Sequence, residues 1–209
     1  MATRTTKRVR RSVEASKQVI LETAERYLIS DGPNGVKVQR IAHDLGLTDA
    51  AVHYHFGNRQ KLLEALLRFS GRRFVDELTS AIERDDPQSF TLEAAAMLLS
   101  DLYDRKGTAR LAMWLSLEGW SPEGAGMLEP LVDWLHKART LQAKTQGLPP
   151  PQKTDARREI AVLSAVTFSQ ALAGDALRRS VGLGEKAGDG LAVWTAKLLE
   201  HENRISSQT

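Results

Sequence analysis

Between Val38 and Phe56 the chain leaves room for two short helices joined by one tight turn. Val38, Ile41, Ala42 and Leu45 recur at helical spacing and put their apolar side chains on one face. Gly46 follows at once and tolerates the left-handed backbone that a tight turn needs. Thr48 then stands as an N-cap, and Asp49 complements the dipole of a second helix that carries Val52 inward. Ala42 is small and lets that second helix cross closely. Ile41, Ala42, Leu45, Leu47 and Val52 sit where the two helices would pack, which is helix-turn-helix spacing. A single helix presented in this way is slim enough to enter a DNA major groove, about 12 Å wide.

The rest of the chain has the same helical grain. Ile20, Ala24, Tyr27 and Leu28 share one face of a helix starting near Ser16, and Gly32-Pro33-Asn34-Gly35 ends it. Asn58 caps a long helix that carries Leu62, Leu63, Leu66 and Leu67 and runs to about Arg84, before the break at Asp85-Asp86-Pro87. Further helices are predicted near 91–105, 107–120, 124–145, 153–180 and 187–203. Pro149-Pro150-Pro151 and glycines 182, 184, 188 and 190 mark connections. No segment sustains the period-2 alternation of a strand, so the expected fold is all-α.

Charge separates the chain into parts. Residues 1–68 carry 12 basic and 7 acidic side chains, whereas residues 69–209 carry 17 and 19, so the basic excess lies in the first third. Arg4, Lys7, Arg8, Arg10 and Arg11 fall in residues 1–15, which lack apolar periodicity and read as a flexible basic arm. Cysteine is absent, which excludes disulfides and cysteine chemistry and fits a reducing, cytoplasmic setting. The longest uncharged stretch, Ile160 to Gly174, is 15 residues and contains Ser164, Thr167, Ser169 and Gln170, too short and polar for a membrane span.

The segment Ile20-Leu21…Ala24…Gly32, Val38…Ile41-Ala42, Gly46-Leu47-Thr48, Val52-His53-Tyr54-His55-Phe56 and Asn58-Arg59-Gln60-Lys61-Leu62 resembles the TetR family of bacterial transcriptional regulators. It departs from the family pattern at three places. His53 replaces the usual Tyr, Arg59-Gln60 replaces Lys and an acid, and Val36-Lys37 replaces the Ser or Thr that caps the second helix. The resemblance implies a three-helix DNA-binding domain over 16–62, joined by a long helix to a helical effector-binding and dimerisation domain over 63–209.

DNA affinity would then come from phosphate neutralisation by Lys37, Arg40, Arg59, Lys61 and the arm's arginines. Helix N-termini near Lys37, Thr48 and Asn58 offer further donors. Base reading would fall to Thr48, Asp49, Ala50, Ala51, His53 and Tyr54. Ala and the Thr methyl can meet a thymine methyl, His can donate to a guanine acceptor, and Asp can accept from cytosine N4. His55 is either a phosphate contact or a packing residue; Phe56 belongs to the core; the arm can enter an adjacent minor groove. One such unit buries too little surface for a unique site, and a dimer on a near-palindromic double-stranded operator solves this.

On the helix over 153–180, Ile160, Leu163, Thr167, Gln170, Gly174 and Leu177 line one face, and Ala161, Ala165, Phe168 and Leu172 another. Ala187, Leu191, Trp194 and Leu198 repeat along the last helix. The resemblance implies that these two helices form a four-helix interface in a homodimer. Three of the four tryptophans, Trp114, Trp120 and Trp134, fall close together, with Met97, Met113 and Met127 nearby. With Phe168 they imply, by the same resemblance, a pocket for a largely apolar small-molecule effector whose polar anchors include Asp101, Tyr103, Glu118 and Gln170. The function implied is a ligand-released repressor.

No nucleophile elbow, zincin motif or phosphate loop is present, so no enzyme, metal or cofactor is expected. Gly182-Leu-Gly-Glu-Lys-Ala187 follows a helix, not a strand, and is no dinucleotide site. The rival reading is a helical protein–protein adaptor with an incidental helix-turn-helix corner.

Overall fold

A computed structural model describes residues 3–84, 90–120, 126–184 and 190–206, and side chains within them from Val13 to Ser80, Phe90 to Trp120, Met127 to Leu183 and Leu191 to Glu202. Among the described residues every regular element is helical: α1 (Thr3–Asp31), α2 (Val38–Leu45), α3 (Asp49–Phe56), α4 (Arg59–Arg84), α5 (Leu92–Ser100), α6 (Thr108–Leu117), α7 (Glu129–Gln146), α8 (Lys153–Ser180) and α9 (Leu191–Ser206). A 3-10 turn (Pro33–Gly35) joins α1 to the segment before α2, and a π turn (Asp101–Arg105) follows α5.

The predicted helices are present, with shifted ends. α1 begins at Thr3, so the backbone of most of the segment expected to be a flexible arm is helical. Arg and Lys are good helix formers, and α1 supplies a continuous helix for them to extend. The arm's arginines themselves lie outside the described side chains. α7 starts at Glu129 instead of near 124, because Pro130 pre-sets the first helical turn. The helix expected over 91–105 leaves α-geometry after Ser100. α8 is continuous but kinked at Ala173. The start expected for the last helix at 187 lies outside the described residues; α9 follows Gly190.

The chain divides into two compact units, and the division does not follow chain order. One comprises Met1–Ser70 together with Lys106–Ser121; the other comprises Gly71–Arg105 and Pro122–Thr209. The expected domain boundary at residue 62 follows the motif, whereas the unit boundary falls inside α4, after Ser70. α6 belongs to the first unit, where it packs against the Pro33–Gly35 turn.

The core of the first unit gathers Ile20, Ala24 and Leu28 of α1, Val36, Ile41 and Ala42, Val52 of α3, Leu62, Leu63 and Leu66 of α4, and Leu111 and Leu115 of α6. Gly107 starts α6 with φ 69°, and a Cβ there would meet the Leu28 carbonyl oxygen at 3.3 Å, so this approach requires glycine. Buried Ser70 donates to Glu25 at 2.9 Å.

In the second unit α5, α7 and α9 all pack with α8, and α5 with α9. Its core holds Leu92, Leu99, Leu131, Leu135, Ile160, Leu163, Ala192 and Ala196. Trp134 stacks on Phe90 with ring centroids 3.9 Å apart. Glu200 accepts from the Leu92 amide at 2.8 Å and caps α5 from α9. By length and composition α8 is long and apolar enough to cross a membrane. Here its Ile160, Leu163, Thr167 and Gly174 are buried within the unit.

Candidate nucleic-acid interface

The helix-turn-helix forms as its sequence dictates. Gly46 takes φ 62° and closes α2, and its amide reaches back to the carbonyls of Ala42 and His43. Thr48 has extended backbone, and its hydroxyl accepts from the Ala51 amide at 3.2 Å, capping α3. Asn58 caps α4 in the same way, accepting from Lys61 N at 2.9 Å. α2 has no side-chain cap. At the departure Val36-Lys37, Val36 is fully buried, so the position serves the core while the first amides of α2 stay open beside the exposed Lys37.

α3 has one buried residue, Val52, and an outward face. Thr48, Asp49, Ala50, His53 and Tyr54 are exposed, Tyr54 by 80%; Ala51 and His55 are half-buried. An exposed tyrosine ring with Ala50 and Ala51 one turn before it on a short helix is a surface with little internal role. His53 Nδ1 donates to the Gly57 carbonyl at 2.9 Å. In the neutral ring this leaves Nε2 as an acceptor, complementary to cytosine N4 or adenine N6; donation to guanine requires the imidazolium. His55 sits edge-on to Tyr54 and Phe56, with its Nδ1 buried and without a hydrogen-bond partner, an environment of packing. Phe56 packs against the core as expected.

Two of the expected phosphate contacts hold positions inside the unit. Arg40 pairs with Asp31 at 2.7 Å and lies over the Tyr27 ring, 4.0 Å from its centroid. Tyr27 in turn donates to Asp44, and this bond raises the tyrosine pKa and lowers that of Asp44. Together these groups brace α2 against α1. Arg59 is half-buried, with its guanidinium turned toward backbone carbonyls and Trp114. Lys37 and Lys61 are exposed. Neither the Arg40 brace nor the Arg59 contacts carry a sequence signature, because their acceptors are backbone carbonyls and residues on other helices.

Replacing Thr48 by Ala removes the α3 cap and is expected to cost about 1 kcal/mol. For a chain of this size that lowers the melting midpoint by roughly 2–4 °C. An unchanged midpoint in a thermal scan would show that the cap contributes nothing.

The residues expected to line an effector pocket are divided between the two units. Met113, Trp114 and Trp120 belong to the first unit, where Met113 is exposed and the two tryptophans pack on its core. Met97, Asp101, Met127, Trp134 and Phe168 belong to the second. There Met97 is exposed, Asp101 pairs with Arg105 at 2.8 Å, and Trp134 is buried with its Nε1 unpartnered. Phe168 meets the edge of Tyr103, whose hydroxyl lies 2.8 Å from Ser164 Oγ. Burial pushes the Tyr103 hydroxyl above its ordinary pKa, and the bond to Ser164 partly offsets this. Gln170 accepts from the Ala192 amide and so ties α8 to α9. An open cleft of about 360 Å³ in the second unit is lined by Met127, Leu128, Val132, Ile160 and Ala161, with Glu129 and Arg157 among the charged lining. Sequence spacing does not reveal that cleft, because α7 and α8 contribute to it from separate stretches.

On α8 and α9 the expected contact residues present an outward surface. Ala161 and Ala165 are exposed, and Phe168, Leu172 and Leu191 half-buried. Trp194 is 59% and Leu198 44% exposed.

Residues 20–66 match the family model described as bacterial regulatory proteins, tetR family. The HTH-type transcriptional regulator BetI of Brucella anthropi is 28% identical over 97 residues, 46% of this chain and 50% of the relative. The HTH-type transcriptional repressor AcnR of Corynebacterium efficiens is 34% identical over 64 residues, 31% of this chain and 34% of the relative. The chain thus matches half the length of one curated relative and a third of the other. In fold the likeness is longer. A TetR-family transcriptional regulator from Pectobacterium atrosepticum superposes with a TM-score of 0.64 over 91% of this chain and 94% of its own, at 17% identity. The N-terminal helices of this chain thus resemble the tetR family of bacterial regulatory proteins in sequence over residues 20–66, and its all-helical fold is similar to that of a solved TetR-family regulator.

Proposed function

We propose that the protein is a transcriptional regulator of the bacterial cytoplasm that reads a near-palindromic operator as a homodimer and releases it when a small, largely apolar effector binds. The observation that carries this reading is the outward face of α3, where Thr48, Asp49, Ala50, His53 and Tyr54 stand exposed on a capped helix whose opposite side is anchored by Val52. In this reading α3 enters the major groove. Lys37, Lys61 and the open N-terminus of α2 meet phosphates, and residues of the N-terminal extension of α1 add charge. His53 takes the base-reading position that the family gives to Tyr, with its free Nε2 as the recognising atom.

The second unit supplies the other two functions. The apolar surface of α8 and α9, led by Trp194 and Leu198, pairs with its copy in a partner subunit. The cleft at Met127, Val132 and Ile160 is apolar with a charged rim, which favours an apolar ligand with one polar end. Repression, not activation, follows the relative AcnR, a repressor by name.

Selection of the purified full chain on random-sequence DNA duplexes at physiological salt tests the reading. Enrichment of a near-palindrome with two half-sites is the expected result. Affinity without enrichment would indicate a nonspecific binder, and no affinity at any salt would favour a protein–protein adaptor.

A further inference from the structure

We propose that Arg59 is a positioning residue of the DNA-reading unit: it clasps the turn before α2 and the face of Trp114 together, and does not serve as a phosphate contact. The inference rests on the DNA-reading function proposed above.

Arg59 opens α4. Its Nε donates to the Val36 carbonyl at 2.9 Å and its Nη2 to the Pro33 carbonyl at 2.6 Å. Its Cζ lies 5.1 Å from the centroid of the Trp114 ring. One planar side chain therefore joins α4, the turn that feeds α2, and α6. Each of the three is otherwise fixed. Val36 is fully buried, Leu62 and Leu63 anchor α4, and Leu111 and Leu115 flank Trp114 on α6 with no exposure. α6 also packs on the Pro33–Gly35 turn that Arg59 holds.

The geometry explains why this position matters to reading. Lys37, the N-cap of α2, follows Val36 directly, and α3 follows α2 across only Gly46, Leu47 and Thr48. A shift of the turn at 33–36 tilts α2 and carries α3 with it. To reach a phosphate instead, the Arg59 guanidinium would have to leave two carbonyls and an aromatic face. Lysine cannot replace it here, because an ammonium is a point charge without the planar fork that spans two acceptors and stacks on a ring.

The test uses the duplex that the wild-type chain enriches from a random pool. Arg59→Lys keeps the charge, so a phosphate contact would leave affinity near wild type. The clasp predicts a roughly tenfold loss, the equivalent of one charge-assisted hydrogen bond. Trp114→Leu, which touches no charge, is expected to weaken binding similarly, and Trp114→Phe, which retains a ring, to restore most of it. The double variant Arg59→Lys/Trp114→Leu is expected to bind no worse than Arg59→Lys alone, because Arg59→Lys already removes the stacking on Trp114. The salt dependence of all these variants stays that of wild type, whereas Lys61→Gln reduces the slope by about 0.9 as a lost phosphate contact does. On the free protein, hydrogen exchange at the Gly35 and Val36 amides quickens in Arg59→Lys, which reads the clasp without DNA and without requiring Trp114→Leu to fold well.

Wild-type affinity in Arg59→Lys with unchanged exchange, or single losses that multiply in the double variant, overturns the inference alone. A wild-type chain that selects no sequence overturns the DNA-reading function and this inference with it.

Discussion

Trp194→Asp is expected to turn the proposed homodimer into a folded monomer. Trp194 is 59% exposed on α9, so the single chain loses little when it is replaced. In a dimer it would be a large aromatic anchor at the centre of an apolar surface, and such residues carry most of the binding energy of an interface. A carboxylate desolvated within such an interface is strongly unfavourable. Light scattering should report half the mass of the wild type, with an unchanged helical spectrum. Operator affinity should fall by roughly a thousandfold or more, toward nonspecific binding, because a single reading unit faces only one half-site. A Trp194→Asp protein that stays dimeric and binds normally would remove α9 from the interface.

Leu111→Ala is the second large effect, and its direction depends on the unit to which α6 belongs. Leu111 has no exposure and sits in the core with Ile20, Leu28, Ile41 and Leu62. Truncating a leucine so enclosed costs about 2–5 kcal/mol. For a unit the size of the first one this is a fall of roughly 10 °C or more in its melting transition. Hydrogen exchange should therefore quicken over residues 20–66, far away in sequence, with DNA binding lost in step. Loosening confined to residues 71–105 and 126–206 would instead place α6 with the second unit.

The helices were legible because their signals are local. Gly46, Thr48 and Asn58 perform the turn and capping roles that their types predict, and the apolar spacing of Ile20, Ala24 and Leu28 does face a core. The outward residues of α3 were legible for the same reason, since one helix with one buried position fixes which residues remain outside. What escaped the sequence depends on contacts between distant segments. Leu111 and Leu115 announce an apolar helix face and say nothing about which core receives it. Arg59 resembles any cation at a helix start until the carbonyls of Pro33 and Val36 appear beside it. The donation from His53 to Gly57 fixes a tautomer that residue types alone leave open. The clustering of Trp114, Trp120 and Trp134 along the chain does not tell that the first two belong to one compact unit and the third to the other.

The discontinuous first unit also has a consequence during synthesis. Its α1 to α4 portion leaves the ribosome with Ile20, Leu28, Ile41, Leu62 and Leu63 lacking the leucines of α6 that complete their enclosure. About 50 residues separate the end of the family-matched segment from Leu115, which is roughly 3–10 s of elongation. Through that interval the nascent first unit presents an apolar seam to the cell. A pause in translation, or a premature stop before codon 115, would leave a product prone to chaperone capture and proteolysis instead of a small, freely acting DNA-binding fragment.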